Sequence, residues 1–315
     1  MVNERDLKAI IFDIQAFSIH DGPGCRTTIF FAGCPLRCKW CANPENFAGK
    51  RHLMFAPRVC KWHTGCRACV DLCPRGGLHF EDTGPVVHWE ICNRCETFEC
   101  TQYCASESLK ICGKVYTVDD IVKILKRDCS NWGSEGGVTF SGGEPCLHDE
   151  FLLSLLKRCK SMHIHTAIET AGNIPTEKFL TLMAYIDFAF IDIKNMDDEK
   201  HREGTGVSNA LILQNIAALK ASGWPGRLVL RQPTIHGYND SVENAQKVIA
   251  FMQAHDLYEI NLLKFHRLGQ TKWEQLGMEY AYVTGGDMAE NSMQELQALY
   301  LNNEILCYLG DKTPF

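Results

Sequence analysis

Cys34-Pro35-Leu36-Arg37-Cys38-Lys39-Trp40-Cys41 places three cysteines at x3 and x2 spacing, directly after the apolar run Thr27-Thr28-Ile29-Phe30-Phe31. Three thiolates on one short loop can hold three irons of a [4Fe–4S] cluster and leave the fourth iron without a protein ligand. An iron left open in this way is a place to do chemistry. A structural zinc site would normally supply four ligands to a closed tetrahedron, and three unrelated buried cysteines are the other plain reading. The surrounding chain has to decide among them.

Outward from this loop, strands alternate with helices. Ile10 to Ile14 reads as a strand, joined through the turn residues His20-Asp21-Gly22-Pro23-Gly24 to the strand at Thr27–Phe31. After Lys114, Thr117 can cap a helix whose Val118, Ile121, Val122 and Leu125 repeat at i, i+3, i+4 and i+7. Strand-like runs follow at 137–140, 165–169, 188–192, 227–231 and 259–263, with helices near 149–162, 175–184, 208–222 and 241–255. With Thr27–Phe31 these make six βα units, which call for an α/β fold with a parallel sheet and helices outside. Six units are too few to close an eight-stranded barrel. The expectation is a partial, open (β/α)6 barrel over 1–50 and 113–315, with a last helix near 289–303 and a trailing strand at 305–309. Between them, 51–112 is short polar texture dense in Cys, Gly and Pro, an insert with its own rules.

The 315 residues are 45% hydrophobic, enough for a sizeable core. Lys+Arg 32 against Asp+Glu 38 gives a net charge of −6 without a basic run, which speaks against a nucleic-acid partner. MVNERDLKAI is too charged for a signal peptide, and no stretch offers the roughly 18 apolar residues of a membrane span, so a cytoplasmic protein is expected. Seventeen cysteines in a reducing compartment argue for metal or redox work rather than disulfides. Eleven of them lie between Cys34 and Cys104. The scattered Cys25, Cys112, Cys129, Cys146, Cys159 and Cys307 read as ordinary small apolar residues.

In parallel βα architectures reactive groups gather at the carboxyl ends of the strands, because the loops there converge on one mouth. Here those ends carry the Cys34–Cys41 loop, Ser141-Gly142-Gly143-Glu144-Pro145, Glu169-Thr170, Asp192-Ile193-Lys194, Arg231 and His266. Each alone has an ordinary explanation: a turn at Gly142-Gly143, a helix cap at Asp192, a surface Arg231, a structural His266. Their joint placement beside a cysteine loop is hard to produce by core packing. Gly142-Gly143 lets backbone approach a ligand closely, and Glu144 offers a carboxylate to an ammonium group. Glu169, Asp192, Lys194 and His266 suit ribose hydroxyls, a carboxylate and an adenine.

CxxxCxxC with an aromatic residue before its last cysteine, followed after a later strand by Gly-Gly-Glu-Pro, resembles the radical S-adenosylmethionine (SAM) superfamily. Ile14-Gln15-Ala16-Phe17-Ser18-Ile19-His20-Asp21-Gly22-Pro23-Gly24-Cys25-Arg26-Thr27 and Cys41-Ala42-Asn43-Pro44-Glu45 are similar to the activating enzymes of glycyl radical enzymes, a likeness that runs over almost the whole chain. The resemblance implies that Cys34, Cys38 and Cys41 hold the open cluster, with Trp40 counted among the cofactor-binding residues, and that the amino and carboxyl groups of SAM take the free iron. It implies that Gly142, Gly143 and Glu144 hold the methionine amine and that Asp192, Lys194 and His266 stand around the same ligand. Arg231 matches the family's arginine on the fifth strand. Glu169 and Asp192 also match positions that hold a monovalent cation in some relatives. One departure is Lys264, where relatives carry proline before the aromatic-His pair. The implied activity is reductive cleavage of SAM to methionine and a 5′-deoxyadenosyl radical that removes a hydrogen atom from one glycine Cα of a partner enzyme. Chemistry this sensitive to oxygen implies an anaerobic setting. Within the family, residues 131–140, 164–170 and 187–194 look most like activators of arylacetate decarboxylases, so the expected partner is a glycyl radical decarboxylase.

The insert holds Cys60-x5-Cys66-x2-Cys69-x3-Cys73-Pro74 and Cys92-x2-Cys95-x4-Cys100-x3-Cys104, the first ending in the Cys-Pro of bacterial ferredoxins. A ferredoxin-like insert with two auxiliary [4Fe–4S] clusters is expected, three clusters in all; a pair of zinc ribbons or knuckles is the alternative. In ferredoxins the fourth cysteine of each run ligates the other cluster. That would group Cys60, Cys66 and Cys69 with Cys104, and Cys92, Cys95 and Cys100 with Cys73. Pairing within each run competes, and spacing does not choose. His63, His79 and His88 read as surface. The insert can relay electrons from a flavodoxin- or ferredoxin-type donor, or serve as a platform for docking the partner; a monomer is expected. Two other readings are a radical peptide or small-molecule modifier, which tends to carry its extra clusters after the barrel, and a non-catalytic electron carrier. The Gly-Gly-Glu and Asp-x-Lys strand ends argue against the latter.

Overall fold

Runs such as Gly137-Val138-Thr139-Phe140 and Phe188-Ala189-Phe190-Ile191 are apolar on both faces, the pattern of strands covered on both sides. In the computed structural model, which describes residues 7–315, they become the centre of one sheet. The charged opening at 1–6, most of the stretch read above as unlike a leader, lies outside the described residues.

The elements in chain order are β1 (Lys8–Ser18), β2 (Arg26–Phe31), β3 (His52–Phe55), β4 (Leu78–Glu81), β5 (Gly84–Val87), the one-turn α1 (Trp89–Cys92), β6 (Leu109–Cys112) and β7 (Lys114–Thr117). There follow α2 (Val118–Asp128), β8 (Gly137–Gly142), α3 (Asp149–Ser161), β9 (His165–Thr170), α4 (Thr176–Met183), β10 (Phe188–Asp192), α5 (Asp198–Thr205) and α6 (Ala210–Ala221). The chain closes with β11 (Arg227–Thr234), α7 (Val242–Ala254), β12 (Glu259–Lys264), α8 (Gln270–Gln275), α9 (Glu290–Leu301) and β13 (Leu306–Leu309).

The main sheet runs β13-β12-β11-β10-β9-β8-β2-β1-β7. Its six central strands are parallel, as the six βα units require, β13 adds a parallel edge, and β1 and β7 pair antiparallel at the other end. The sheet stays open. Helices cover one face through Ile121, Leu125, Leu152, Leu155, Ile216 and Val248, all buried. On the other face Ala167, Phe188, Phe190 and Val229 form a small apolar cluster. Arg26 is fully buried with its Nε donating to Thr139 Oγ1 at 2.6 Å and Nη2 to the Val138 carbonyl at 2.6 Å.

Thr117 caps α2 with the reciprocal bonds of a capping box: its Oγ1 accepts from Asp120 N–H at 3.2 Å, and its own N–H donates to Asp120 Oδ2 at 3.1 Å. Two helices escape the periodicity. Asp198–Thr205 has almost no apolar repeat, and Gln270–Gln275 is too short to show one. Both prove to hold the cysteine loop.

The segment between β2 and β7 makes its own small sheets, β3 with β6 and β4 with β5, and its own apolar cluster of Leu53, Leu78, Phe98 and Leu109 with Cys92 and Cys100. His52 pairs with Cys112, so the two ends of the segment lie side by side. Of the scattered cysteines, Cys112, Cys146, Cys159 and Cys307 are buried and Cys25 is half-buried. Cys129 is instead exposed, because it sits where α2 ends and the chain turns to solvent; its Sγ donates to the Lys126 carbonyl at 3.2 Å. Among the described residues no helix is long and apolar enough to cross a membrane.

Candidate functional site

The loop after β2 is held from two sides. Arg37 N–H donates to the Thr205 carbonyl at 2.6 Å and Lys39 N–H to the Gly204 carbonyl at 3.0 Å. These are carbonyls at the C-terminal end of α5, where helices leave acceptors unpaired. Gly204 has to be glycine here, since an added Cβ would lie 2.6 Å from the Tyr238 ring. On the other side Trp273 Nε1 donates to the Cys41 carbonyl at 2.9 Å, and Lys272 Nζ reaches Asn43 Oδ1 and Glu45 Oε1, each at 2.6 Å. The Arg37 guanidinium staples the loop internally, donating to the carbonyls of Cys34, Leu36 and Phe47.

A cavity of about 260 Å³ opens at the carboxyl ends of the parallel strands, lined by Cys34, Cys38, Trp40, Cys41, Gly142, Gly143, Glu169, Asp192, Lys194, Arg231 and His266. Its volume lies just below the range of about 300–1,000 Å³ usual for small-molecule sites. Residues from all six central strand ends and their loops therefore meet in one space. Sequence reasoning gave no role to Asn46, Phe47 and Phe265, which line the same cavity. Their neighbours in the motifs were the available signal.

Across the floor runs a continuous polar chain. Ser141 Oγ donates to Glu169 Oε2 at 2.6 Å; Arg231 donates through Nη1 to Glu169 Oε1 at 2.6 Å and through Nε to Asp192 Oδ1 at 2.8 Å; Lys194 Nζ donates to Asp192 Oδ2 at 2.9 Å. Two carboxylates and two cations thus balance. Burial alone would raise the Asp192 carboxyl, but Arg231 and Lys194 outweigh it and hold it below the ordinary carboxylate range. Burial likewise opposes charge on Arg231, and Asp192 and Glu169 reverse that, so the guanidinium stays charged. The guanidinium bridges Glu169 and Asp192, the two carboxylates matched above to a monovalent-cation site.

Glu144 differs from the expectation. It does not line the cavity. Its carboxylate is fully buried and accepts from Thr170 Oγ1 at 2.6 Å, Ala171 N–H at 2.9 Å and Cys146 N–H at 3.2 Å. Its work is to lock the turn that presents the Gly142-Gly143 backbone. An added Cβ at Gly143 would lie 2.1 Å from the Gly33 carbonyl oxygen, so side chains are excluded there. Trp40 is buried with its ring centroid 4.5 Å from that of Tyr238, and the exposed His266 accepts from Leu268 N–H at 3.4 Å.

The cysteines fall into three groups. Cys34, Cys38 and Cys41 line the main cavity; Cys60, Cys66, Cys69 and Cys104 line a second; Cys73, Cys92, Cys95 and Cys100 line a third. Among the described residues no three or more His, Cys, Asp or Glu side chains converge as a single metal ion requires. Burial pushes the Cys34 thiol up to about 12 and raises Cys38 and Cys41 as well, so thiolates here need a cationic group beside them. Backbone N–H groups already aim at four of the sulfurs: Asn43 at Cys41, Gly77 at Cys73, Phe98 at Cys95 and Leu109 at Cys104, between 3.1 and 3.4 Å. Donors to sulfur of this kind suit cluster ligands. His63 and His88 are exposed and His79 is half-buried against His88.

The model of the radical SAM superfamily matches residues 86–249. The chain is 60% identical to a 4-hydroxyphenylacetate decarboxylase activating enzyme from Clostridium scatologenes, over 98% of this chain and 99% of that one. It is 39% identical to an indoleacetate decarboxylase activating enzyme from Tractidigestivibacter scatoligenes, over 96% and 98%. Among solved structures, a radical SAM methyltransferase from Sphaerobacter thermophilus matches 90% of this chain and 66% of its own with a TM-score of 0.52 at 13% identity, a likeness of fold.

Proposed function

The chain belongs to the radical SAM superfamily and, within it, to the activating enzymes, and on that premise we propose that it installs the glycyl radical of a 4-hydroxyphenylacetate decarboxylase. The partner is chosen by the 60% identity over nearly full length, against 39% to the indoleacetate relative. What carries the activity is the meeting of Cys34, Cys38 and Cys41 with Gly142, Gly143, Glu169, Asp192, Lys194, Arg231 and His266 in one cavity.

A [4Fe–4S] cluster on the three cysteines would supply the electron that splits SAM into methionine and a 5′-deoxyadenosyl radical, which takes a hydrogen atom from the partner's glycine Cα. The protein's own part is positioning. The Gly142-Gly143 backbone offers close approach to the methionine amine. Asp192 and Lys194, fixed by Arg231, present one charge of each sign to the polar end of the ligand, and Trp40 and His266 stand at the walls.

The segment 51–112 is proposed as a ferredoxin-like domain inserted in a barrel formed by the rest of the chain. Its two cysteine groups each draw a fourth member from the other run, the arrangement in which the odd cysteine of each run ligates the other run's [4Fe–4S] cluster. The domain would pass electrons from a flavodoxin- or ferredoxin-type donor to a monomer working in an anaerobic cytoplasm.

The test is anaerobic. Reconstituted, reduced protein is mixed with SAM and either 4-hydroxyphenylacetate decarboxylase or indoleacetate decarboxylase, with 5′-deoxyadenosine and the glycyl radical followed together. A glycyl radical signal in the first decarboxylase and little in the second is expected. Without 5′-deoxyadenosine in any mixture the radical reading fails; with it, and a radical only in the second, the partner is wrong.

A further inference from the structure

The polar side chains around the main cavity are nearly all committed to one another: Ser141 to Glu169, Asp192 to Arg231 and Lys194, and Asn43 to Lys272. Asn46 is the exception. It lines the cavity and is only 1% exposed, yet neither its side-chain oxygen nor its nitrogen has a hydrogen-bond partner. Folding does not favour such a group, since a buried amide without partners forfeits its hydration and an apolar side chain of similar shape would serve better.

Its backbone is clamped to the Gly142-Gly143 turn. Gly33 N–H donates to the Asn46 carbonyl at 2.7 Å, and Glu144 N–H donates to the Gly33 carbonyl at 2.7 Å. A Cβ added at Gly143 would come within 3.1 Å of the Asn46 Cβ. The unpaired amide therefore stands beside the backbone expected to receive the amino-acid end of the ligand, bearing one acceptor and a donor pair. The α-amino acid group of the ligand carries the complement, amino N–H bonds that donate even when the nitrogen ligates iron and a carboxylate that accepts.

We propose that Asn46 is a positioning residue for the amino-acid end of SAM, its Oδ1 accepting from the α-amino N–H and its Nδ2 donating to the α-carboxylate. The inference rests on the reading of this cavity as the SAM site. It assigns to Asn46 a share of the selectivity for a ligand that bears an intact methionine.

The test uses cluster-loaded protein under anaerobic conditions and two probes, SAM and methylthioadenosine, which keeps the nucleoside and lacks the amino acid. Asn46→Leu should weaken SAM binding about 10- to 100-fold, the span of losing hydrogen bonds to charged groups. It should leave methylthioadenosine affinity and iron content unchanged. Without ligand the variant should unfold at the wild-type temperature or above it, because an unpaired buried amide has been removed. Asn46→Ala serves the same comparison if the leucine variant does not load iron. SAM affinity within twofold of wild type, or equal loss for both probes, overturns the proposal. If wild-type protein binds methylthioadenosine and SAM equally, the role of Asn46 fails while the nucleoside site stands; if it binds neither, the SAM reading itself has failed and this proposal with it.

Discussion

Trp273 donates its indole N–H to the carbonyl oxygen of Cys41 at 2.9 Å, so the last cysteine of the loop hangs on α8. The segment carrying the other eight grouped cysteines touches the same region: Arg58 Nη2 donates to Glu274 Oε2 at 3.1 Å, and the Trp89 ring lies over Gly277, where no side chain fits. Helix α8 is thus the mechanical link between that segment and the reactive loop.

Replacing Trp273 by Phe retains an aromatic ring toward Phe47 and Tyr280, whose centroids lie 5.6 and 5.5 Å from the indole, and removes the hydrogen bond together with part of the buried packing. The expected cost is about 1 kcal/mol for the hydrogen bond plus a packing loss of similar order, seen as a lower denaturant midpoint. Iron release to a chelator should be faster from the cluster that binds SAM than from the two proposed auxiliary clusters. Uniform release would show that α8 does not hold the loop.

Arg231 is the keystone of the cavity floor, since among the described residues it alone pairs with both Glu169 and Asp192. Arg231→Met would leave two buried carboxylates with Lys194 as their remaining cation, a loss of about 3–5 kcal/mol for a broken buried pair. 5′-Deoxyadenosine formation should fall with it. Arg231→Lys keeps the charge but cannot span both partners, and an intermediate loss in both assays is expected.

Grouping of Cys66 with Cys104 is checked by counting iron. The double variant Cys66→Ser/Cys104→Ser should lose about four irons per chain if the two belong to one cluster, and about eight if each run keeps its own. Elemental analysis of anaerobically purified protein separates these outcomes.

His148 supplies a pH dependence. Burial holds its pKa below the ordinary histidine value of 6.5, and its Nε2 lies 2.7 Å from the Ala32 carbonyl oxygen, to which the neutral ring donates. A histidine protonated more readily unfolded than folded costs stability as pH falls below its unfolded value, and the loss grows toward the folded pKa. His148→Gln cannot titrate. Between pH 7.5 and 5.5 the wild-type denaturant midpoint should drop further than that of the variant; parallel profiles would remove His148 from the account.

Much of the barrel was legible because it rests on local periodicity. The alternation of β-branched and aromatic runs with amphipathic helices places β2 and β8 to β12 in order, and chain geometry then brings Gly142, Glu169, Asp192, Arg231 and the cysteine loop to one mouth. Helices α5 and α8 were not legible. The first is polar throughout and the second spans six residues, so neither leaves an apolar repeat.

Residue order alone puts three cysteines after the first parallel strand at x3 and x2 spacing, polar groups at six strand ends, and eight more cysteines in the loop-rich stretch 51–112. Those are properties of neighbours along the chain. Only the tertiary structure decided that Cys104 shares a wall with Cys60, Cys66 and Cys69, that the Glu144 carboxylate turns inward to Thr170 and Ala171, that Arg231 stands between Glu169 and Asp192, and that Asn46 is left unpaired. Each depends on groups far apart in sequence, or on what a buried side chain finds when the chain has closed around it. Backbone propensity carries no record of such partners, because hydrogen bonds and burial are settled by the space between elements rather than by the elements themselves.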